Sequence, residues 1–137
     1  MVTVFDVPAG RLIEKAAEEL EKMGAKKPEF INYVKSGAQA ERRPEQENFW
    51  YLRLASLLRQ AYVKPKIGVY RLRTHYGGKK NRGSKPGKHY DAGGAIIRRG
   101  LQQLEQLGLI KKEKVGRTIT GKGKAFLDNI AKQIAQA

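Results

Sequence analysis

Residues 96–123 read IIRRGLQQLEQLGLIKKEKVGRTITGKG. Ile97, Leu101 and Leu104 recur at steps of three and four, the spacing that gathers side chains on one face of a helix. Gly108 supplies a helix stop. Two short runs, LIKKEK and RTIT, then flank Val115 and Gly116, which predicts a hairpin. Thr120 stands in capping position for a last helix from about Gly121 to Ala135, with Phe126, Ile130 and Ile134 at four-residue steps and Leu127 and Ala131 beside them. Upstream, Asp91 is expected to cap the helix that runs through AGGAIIRRGLQQLEQL, so that Arg98 and Arg99 project from its first half.

Toward the N-terminus the texture changes twice. IGVYRLR, residues 67–73, is expected to form a short strand, with Ile67, Val69 and Leu72 set against Tyr70, Arg71 and Arg73. HYGGKKNRGSKPGK, residues 75–88, holds four glycines, one proline and five Lys or Arg side chains without apolar periodicity. It is expected to be an irregular arm that becomes ordered on a ligand. A strong helix is predicted from near Pro44 through ENFWYLRLASLLRQAY to about Val63, burying Trp50, Leu54, Leu57, Leu58 and Ala61. Another is predicted from about Pro8 to Met23, with Leu12, Ile13, Ala16, Ala17, Leu20 and Met23 on its inner face and Gly24 as its stop. Between them, Phe30, Ile31, Tyr33 and Val34 suggest one or two helical turns ending near Gly37.

The totals say what such a chain faces. Its 137 residues fit one domain, and 28 Lys and Arg against 13 Asp and Glu leave a formal charge of +15. The charge is uneven: residues 64–99 carry 11 basic side chains and 1 acidic one, net +10, against net +1 over 1–63 and +4 over 100–137. A field that concentrated is most readily neutralised by nucleic acid. No segment approaches the roughly 18 apolar residues of a membrane span, and MVTVFDVPAG lacks the basic start and apolar core of a signal peptide, so neither membrane nor export is expected. The absence of cysteine excludes disulfides and thiolate metal sites and suits the cytosol.

A helix, a short strand, a second helix ending in Gly-Leu-Ile, and a hairpin with Gly-Arg at its turn: this order resembles the winged helix. Four longer stretches, ENFWYLRLASLLRQ (47–60), GVYRLRTHYGGKKNRG (68–83), IIRRGLQQLEQLGLI (96–110) and GRTITGKG (116–123), occur together in one order. They resemble the archaeal and eukaryotic family of small-subunit ribosomal protein nineteen over essentially the whole chain, and the short termini resemble its archaeal branch. The resemblance implies a mainly α, winged-helix-like domain over residues 1–137 with a short β-hairpin wing, extra flanking helices and a basic arm at 76–88. It implies a structural constituent of the small ribosomal subunit, cytoplasmic and ribosome-bound, that binds ribosomal RNA in the subunit head and supports subunit maturation. Its partners would be small-subunit ribosomal RNA and neighbouring ribosomal proteins, with no membrane, cofactor or small-molecule substrate, and it would be monomeric off the ribosome.

Carried over from that family, the binding surface comprises Arg53 and Arg59 on the aromatic helix and Arg98 and Arg99 on the later one, with the Tyr76–Arg82 turn beside them. The basic stretch adds Lys64, Lys66, Arg71 and Arg73. In the arm, Lys79, Lys80, Arg82, Lys85 and Lys88 are spaced by glycines and can follow an irregular phosphate backbone, and Asn81 can hydrogen-bond to sugar or base. Tyr76, His89 and Tyr90 are candidates for stacking on unpaired bases, with core or capping use the other reading of Tyr90. Lys111, Lys112 and Arg117 form a second basic patch on the wing. Catalytic readings lack support. Two histidines without cysteine or a carboxylate cluster make no zinc site. Residues 78–85 mimic a phosphate-binding loop but place Ser84 before Lys85. The rival to RNA is a DNA-binding regulator that would insert the Asp91–Leu107 helix into a major groove.

Overall fold

The apolar residues at helical spacing do form helices. The computed structural model describes residues 2–32, 34–37, 40 and 48–136. In chain order it contains α1 (Ala9–Lys22), α2 (Phe49–Val63), α3 (Val69–Tyr76), the hairpin β1 (Gly78–Arg82) and β2 (Lys85–Tyr90), α4 (Gly94–Gln106), the hairpin β3 (Ile110–Lys112) and β4 (Arg117–Ile119), and α5 (Gly121–Gln136). Turns of 3-10 helix lie at Val4–Asp6 and Glu29–Asn32. The second is the short helical feature expected after Pro28; Tyr33 lies outside the described residues, as does the expected start of α2 near Pro44.

The core is the sum of the inner faces. Leu12, Ala16, Ala17 and Leu20 of α1 pack with Trp50, Leu54, Leu57, Leu58 and Ala61 of α2, Ile97, Leu101 and Leu104 of α4, and Leu127, Ile130 and Ala131 of α5 in one buried cluster. In α5 the buried stripe centres on Leu127 and Ala131, with Phe126 and Ile134 only half-buried. Gly100 lets α4 close onto α2: a Cβ there would lie 2.7 Å from a Leu57 methyl. Polar ties join the layers. The Tyr62 hydroxyl donates to Asp128 at 2.8 Å, and Thr120, as expected, caps α5 by accepting the Gly123 N–H at 3.2 Å.

α2, α3 and α4 with the β3–β4 wing make a winged helix, mainly α, flanked by α1 and α5. The wing pairs Ile110 with Ile119 and Lys112 with Arg117. Its third strand is a single residue: Ile67 donates to the Arg117 carbonyl at 3.0 Å and accepts from the Arg117 N–H at 2.8 Å. Arg117 Nε also donates to Glu105 on α4, in an ion pair that is largely shielded from solvent. Glu105→Ala leaves that guanidinium without its partner. It is expected to cost about 1.5–3 kcal/mol, as for a hydrogen bond to a charged group, measured by chemical denaturation. A loss within ~0.5 kcal/mol, the range of ordinary surface changes, would show that the pair does not brace the wing.

Three expectations are corrected. The strand over 67–73 contracts to the one bridge at Ile67, and Val69–Tyr76 is helical. Val69, Leu72, Arg73 and Tyr76 turn inward at the i, i+3, i+4, i+7 spacing of a helix, while Tyr70, Arg71, Thr74 and His75 are exposed. The arm is no irregular loop but an antiparallel hairpin, pairing Gly78 with Tyr90, Lys79 with His89 and Lys80 with Lys88, with a bulge before Arg82 meets Lys85. Its two-residue loop, Gly83-Ser84, has positive φ at the glycine alone (74°), the φ pattern of a type II′ hairpin turn. Asp91 does not cap α4; Gly93 occupies the cap position, with extended backbone. Residues 92 and 93 are held extended by tertiary bonds, Ala92 N–H to the Arg73 carbonyl at 2.9 Å and Gly93 N–H to the Ser36 carbonyl at 2.8 Å, so the helix cannot begin before Gly94.

Candidate nucleic-acid interface

α3 is short, cationic and placed between the two helices that carry the other candidate arginines. On one side, α2 presents Arg53 to it. The Arg53 guanidinium lies 4.1 Å from the centre of the Tyr76 ring and 5.1 Å from that of Phe49, contacts of cation–π type. Burial lowers the Arg53 pKa from its ordinary value, and the Tyr76 hydroxyl opposes that shift. Tyr76 in turn shares a hydrogen bond of 2.6 Å with Ser56, and burial raises its pKa. His75 meets the Tyr76 ring edge-on at 4.9 Å. Burial first, then Lys64, Arg53 and Arg59, hold His75 below the usual histidine range.

Arg59 is the unusual member of this group. Its Nε is buried and has no hydrogen-bond partner among the described residues. A buried donor that no described group meets can be satisfied by an ordered water or by a ligand.

On the other side of α3, Arg73 Nε donates to the Ala92 carbonyl at 2.9 Å. A shallow cavity of about 340 Å³ joins Val69 and Arg73 to Gly94, Ala95, Arg98 and Arg99 at the start of α4. Arg98 and Arg99 are exposed, and Arg99 stands 4.5 Å over the Phe30 ring. α3 thus borders both arginine groups, and the one acid of the basic stretch, Asp91, lies with its carboxylate 3.5 Å from His89 Nε2.

The β1–β2 hairpin grows from the end of α3. Lys79, Asn81, Lys85 and Lys88 are exposed on it, while Lys80 and Arg82 are half-buried. Lys80 lies 5.2 Å over the Tyr90 ring, and the Asn81 side-chain oxygen accepts the Gly83 N–H at 3.0 Å, closing the turn. The hairpin is rooted at Gly77, where a Cβ would sit 2.4 Å from the Tyr90 carbonyl oxygen and 3.1 Å from that of Arg73. Both are backbone atoms. Gly77→Ala must therefore shift the root, at an expected cost of about 1–3 kcal/mol, and should speed hydrogen exchange of the β1–β2 amides relative to those of α1 and α2. Parental exchange rates in the hairpin would mean that the root is not closely packed.

The remaining candidates divide. Lys64 and Lys66 are exposed on the connection from α2, and Arg71 is exposed on α3. Lys111 and Lys112 are exposed on the wing, Lys111 pairing with Glu113 at 3.3 Å; no described contact joins them to the group around α3. Arg117 turns inward to Glu105. Among the described residues there is no cluster of three or more metal-ligating side chains and no helix long and apolar enough to cross a membrane.

The model of the family described as ribosomal protein S19e matches residues 3–137. The small ribosomal subunit protein eS19 of Aeropyrum pernix is 41% identical over 140 aligned positions, covering 99% of this chain and 92% of that protein. Its namesake from Emericella nidulans is 42% identical over 134 positions, covering 96% and 90%, and that from Haloarcula marismortui is 39% identical over 137, covering 96% and 90%. With a family match over nearly every residue and this identity across whole relatives, the chain belongs to the ribosomal protein S19e family of small-subunit ribosomal proteins.

Proposed function

We propose that this protein is an architectural RNA-binding component of the small ribosomal subunit, holding ribosomal RNA in the subunit head through the cationic zone around α3 and thereby supporting subunit assembly. The observation that carries the reading is the convergence of Arg53 and Arg59 from α2, Arg73 from α3, and Arg98 and Arg99 from α4 on one short helix. None of these five forms an ion pair among the described residues. Unneutralised guanidinium groups held in fixed positions suit the phosphates of a folded RNA. The chain acts as one RNA-binding domain, without catalysis, and its remaining contacts are to neighbouring ribosomal proteins. The subunit-head location rests on family resemblance.

The side chains have distinct tasks. Arg98, Arg99, Lys79, Lys85 and Lys88 are exposed and reach phosphates directly. Arg53 and Tyr76 support one another, so Tyr76 serves the surface by positioning a cation. A DNA reader would insert α4 into a groove by itself, whereas here the exposed Arg98 and Arg99 of α4 share a cavity with Arg73 of α3, a cluster that suits contact with a phosphate backbone.

Sedimentation of a cell lysate at low and high salt tests the reading. The protein should travel with the small subunit, and deproteinised small-subunit RNA should bind the purified chain with an affinity that falls steeply with salt. A protein that binds this RNA weakly, with no dependence on salt, would remove the phosphate-contact role.

A further inference from the structure

Tyr70 and Val115, at 75% and 71% exposed, are the most exposed large hydrophobic side chains among the described residues. They border the same groove, a cavity of about 430 Å³ between the start of α3 and the tip of the β3–β4 wing, whose walls include Lys66, Gly68, Arg71 and Gly116. Its walls are fixed. The two hydrogen bonds between Ile67 and Arg117 tie the connection before α3 to the wing. Gly116, at φ +80°, lets the tip approach so closely that a Cβ there would stand 2.9 Å from the Ile67 carbonyl oxygen. Arg117 is held from behind by Glu105. The bracing holds the backbone on both sides of the groove, and the Tyr70 ring stays exposed on it.

The groove's chemistry selects an occupant. Two cations and no acid line it, so the ligand combines a flat apolar face with negative charge beside it. A nucleotide outside a helix has both, a π face for the tyrosine ring and a phosphate on each side. We infer that this groove is a stacking pocket for one unpaired nucleotide of RNA, with the base on Tyr70 and against Val115, and the flanking phosphates on Lys66 and Arg71. The inference rests on the RNA-binding reading and adds to it a base contact, separate from the arginine zone between α2 and α4.

Single-stranded oligoadenylate and an RNA duplex of equal length, titrated against the full chain and its variants over a range of salt, test the pocket. Tyr70→Ala is expected to weaken oligoadenylate binding by roughly 5- to 150-fold, the range for loss of one base–aromatic stack, without changing the salt slope. Tyr70→Trp should restore binding, and the duplex should respond to neither. Arg71→Ala should flatten the oligoadenylate slope by about 0.7. Because Tyr70 lies on the surface, its variants keep the parental circular dichroism and melting temperature. If Tyr70→Ala binds oligoadenylate like the parent while small-subunit RNA still binds, the pocket is wrong and the wider RNA reading stands. If Tyr70→Ala binds RNA normally yet fails to enter small subunits, the groove receives a protein and the base pocket is again wrong. A parent chain that binds no RNA overturns both.

Discussion

Trp50→Ala is expected to destabilise the protein by about 3–5 kcal/mol. Trp50 is fully buried, with the Phe30 ring edge-on at 6.5 Å and its Nε1–H directed at the Gln103 side-chain oxygen at 3.5 Å. It sits where α2, α4 and the 3-10 turn at Glu29–Asn32 meet, and its ring edge lies near the close crossing at Gly100. Alanine leaves a cavity bounded by three elements that cannot all move into it. A domain of this size holds ~5–15 kcal/mol in total, so the loss should lower the melting temperature by roughly 10–20 °C. Chemical denaturation followed by circular dichroism measures it, and a loss below ~1 kcal/mol would remove Trp50 from the core. Trp50→Phe keeps much of the buried area and should fall between parent and alanine variant.

That helix was readable because its apolar residues repeat over about three turns. Leu54, Leu57, Leu58 and Ala61 follow Trp50 at steps only a helix can gather, and all five are buried. α3 is too short for such certainty. In IGVYRLR, Ile67 and Val69 alternate as in a strand, and only Leu72, three residues on, breaks the alternation. Extending the window to His75 and Tyr76 decides it, since Val69, Leu72, Arg73 and Tyr76 then share one helical face. The same extension leaves Tyr70 as the large hydrophobic side chain on the exposed side, beside Arg71, Thr74 and His75, which is the signal that would have singled it out as a candidate. The β1–β2 hairpin lacked the usual mark of strands because neither face meets the core, so no apolar alternation was needed; the Gly83-Ser84 pair was the available sign. Asp91 misled because capping is local, while backbone bonds from Arg73 and Ser36, distant in sequence, set where α4 begins.

For the site, charge pointed to residues 64–99 and family resemblance to Arg53, Arg59, Arg98 and Arg99, but neither could assign the tasks of the side chains. Arg73 and Arg117 look like their neighbours in sequence, yet one holds the Ala92 carbonyl and the other Glu105. Arg53 is spent partly on two aromatic rings. These roles arise from pairs far apart in the chain, which composition and periodicity do not encode.

This division of labour determines which substitutions test RNA binding cleanly. Arg53→Ala would uncover Tyr76 and Phe49 and mix stability with affinity, so Arg59, Arg98 and Arg99 are the better set. Replacing all three with alanine is expected to flatten the slope of log affinity against log salt by about 2.1–2.7, at 0.7 to 0.9 per lost phosphate contact. Across a fourfold rise in salt the parent should then lose roughly 20- to 40-fold more affinity than the variant. Arg98→Glu should bind more weakly than Arg98→Ala, because it sets a repelled charge beside phosphate where alanine only removes an attraction. Stability should move little. Arg98 is exposed, Arg99→Ala gives up one cation–π contact worth about 0.5–1 kcal/mol, and Arg59→Ala removes a buried donor that the described chain leaves unsatisfied. Arg59→Ala is therefore the sharpest single variant, expected to keep or gain stability while losing RNA. If it melts well below the parent, its guanidinium serves the fold. If the triple variant folds, keeps the parental salt slope and enters small subunits, the phosphate contacts lie elsewhere, on the β1–β2 hairpin or the wing.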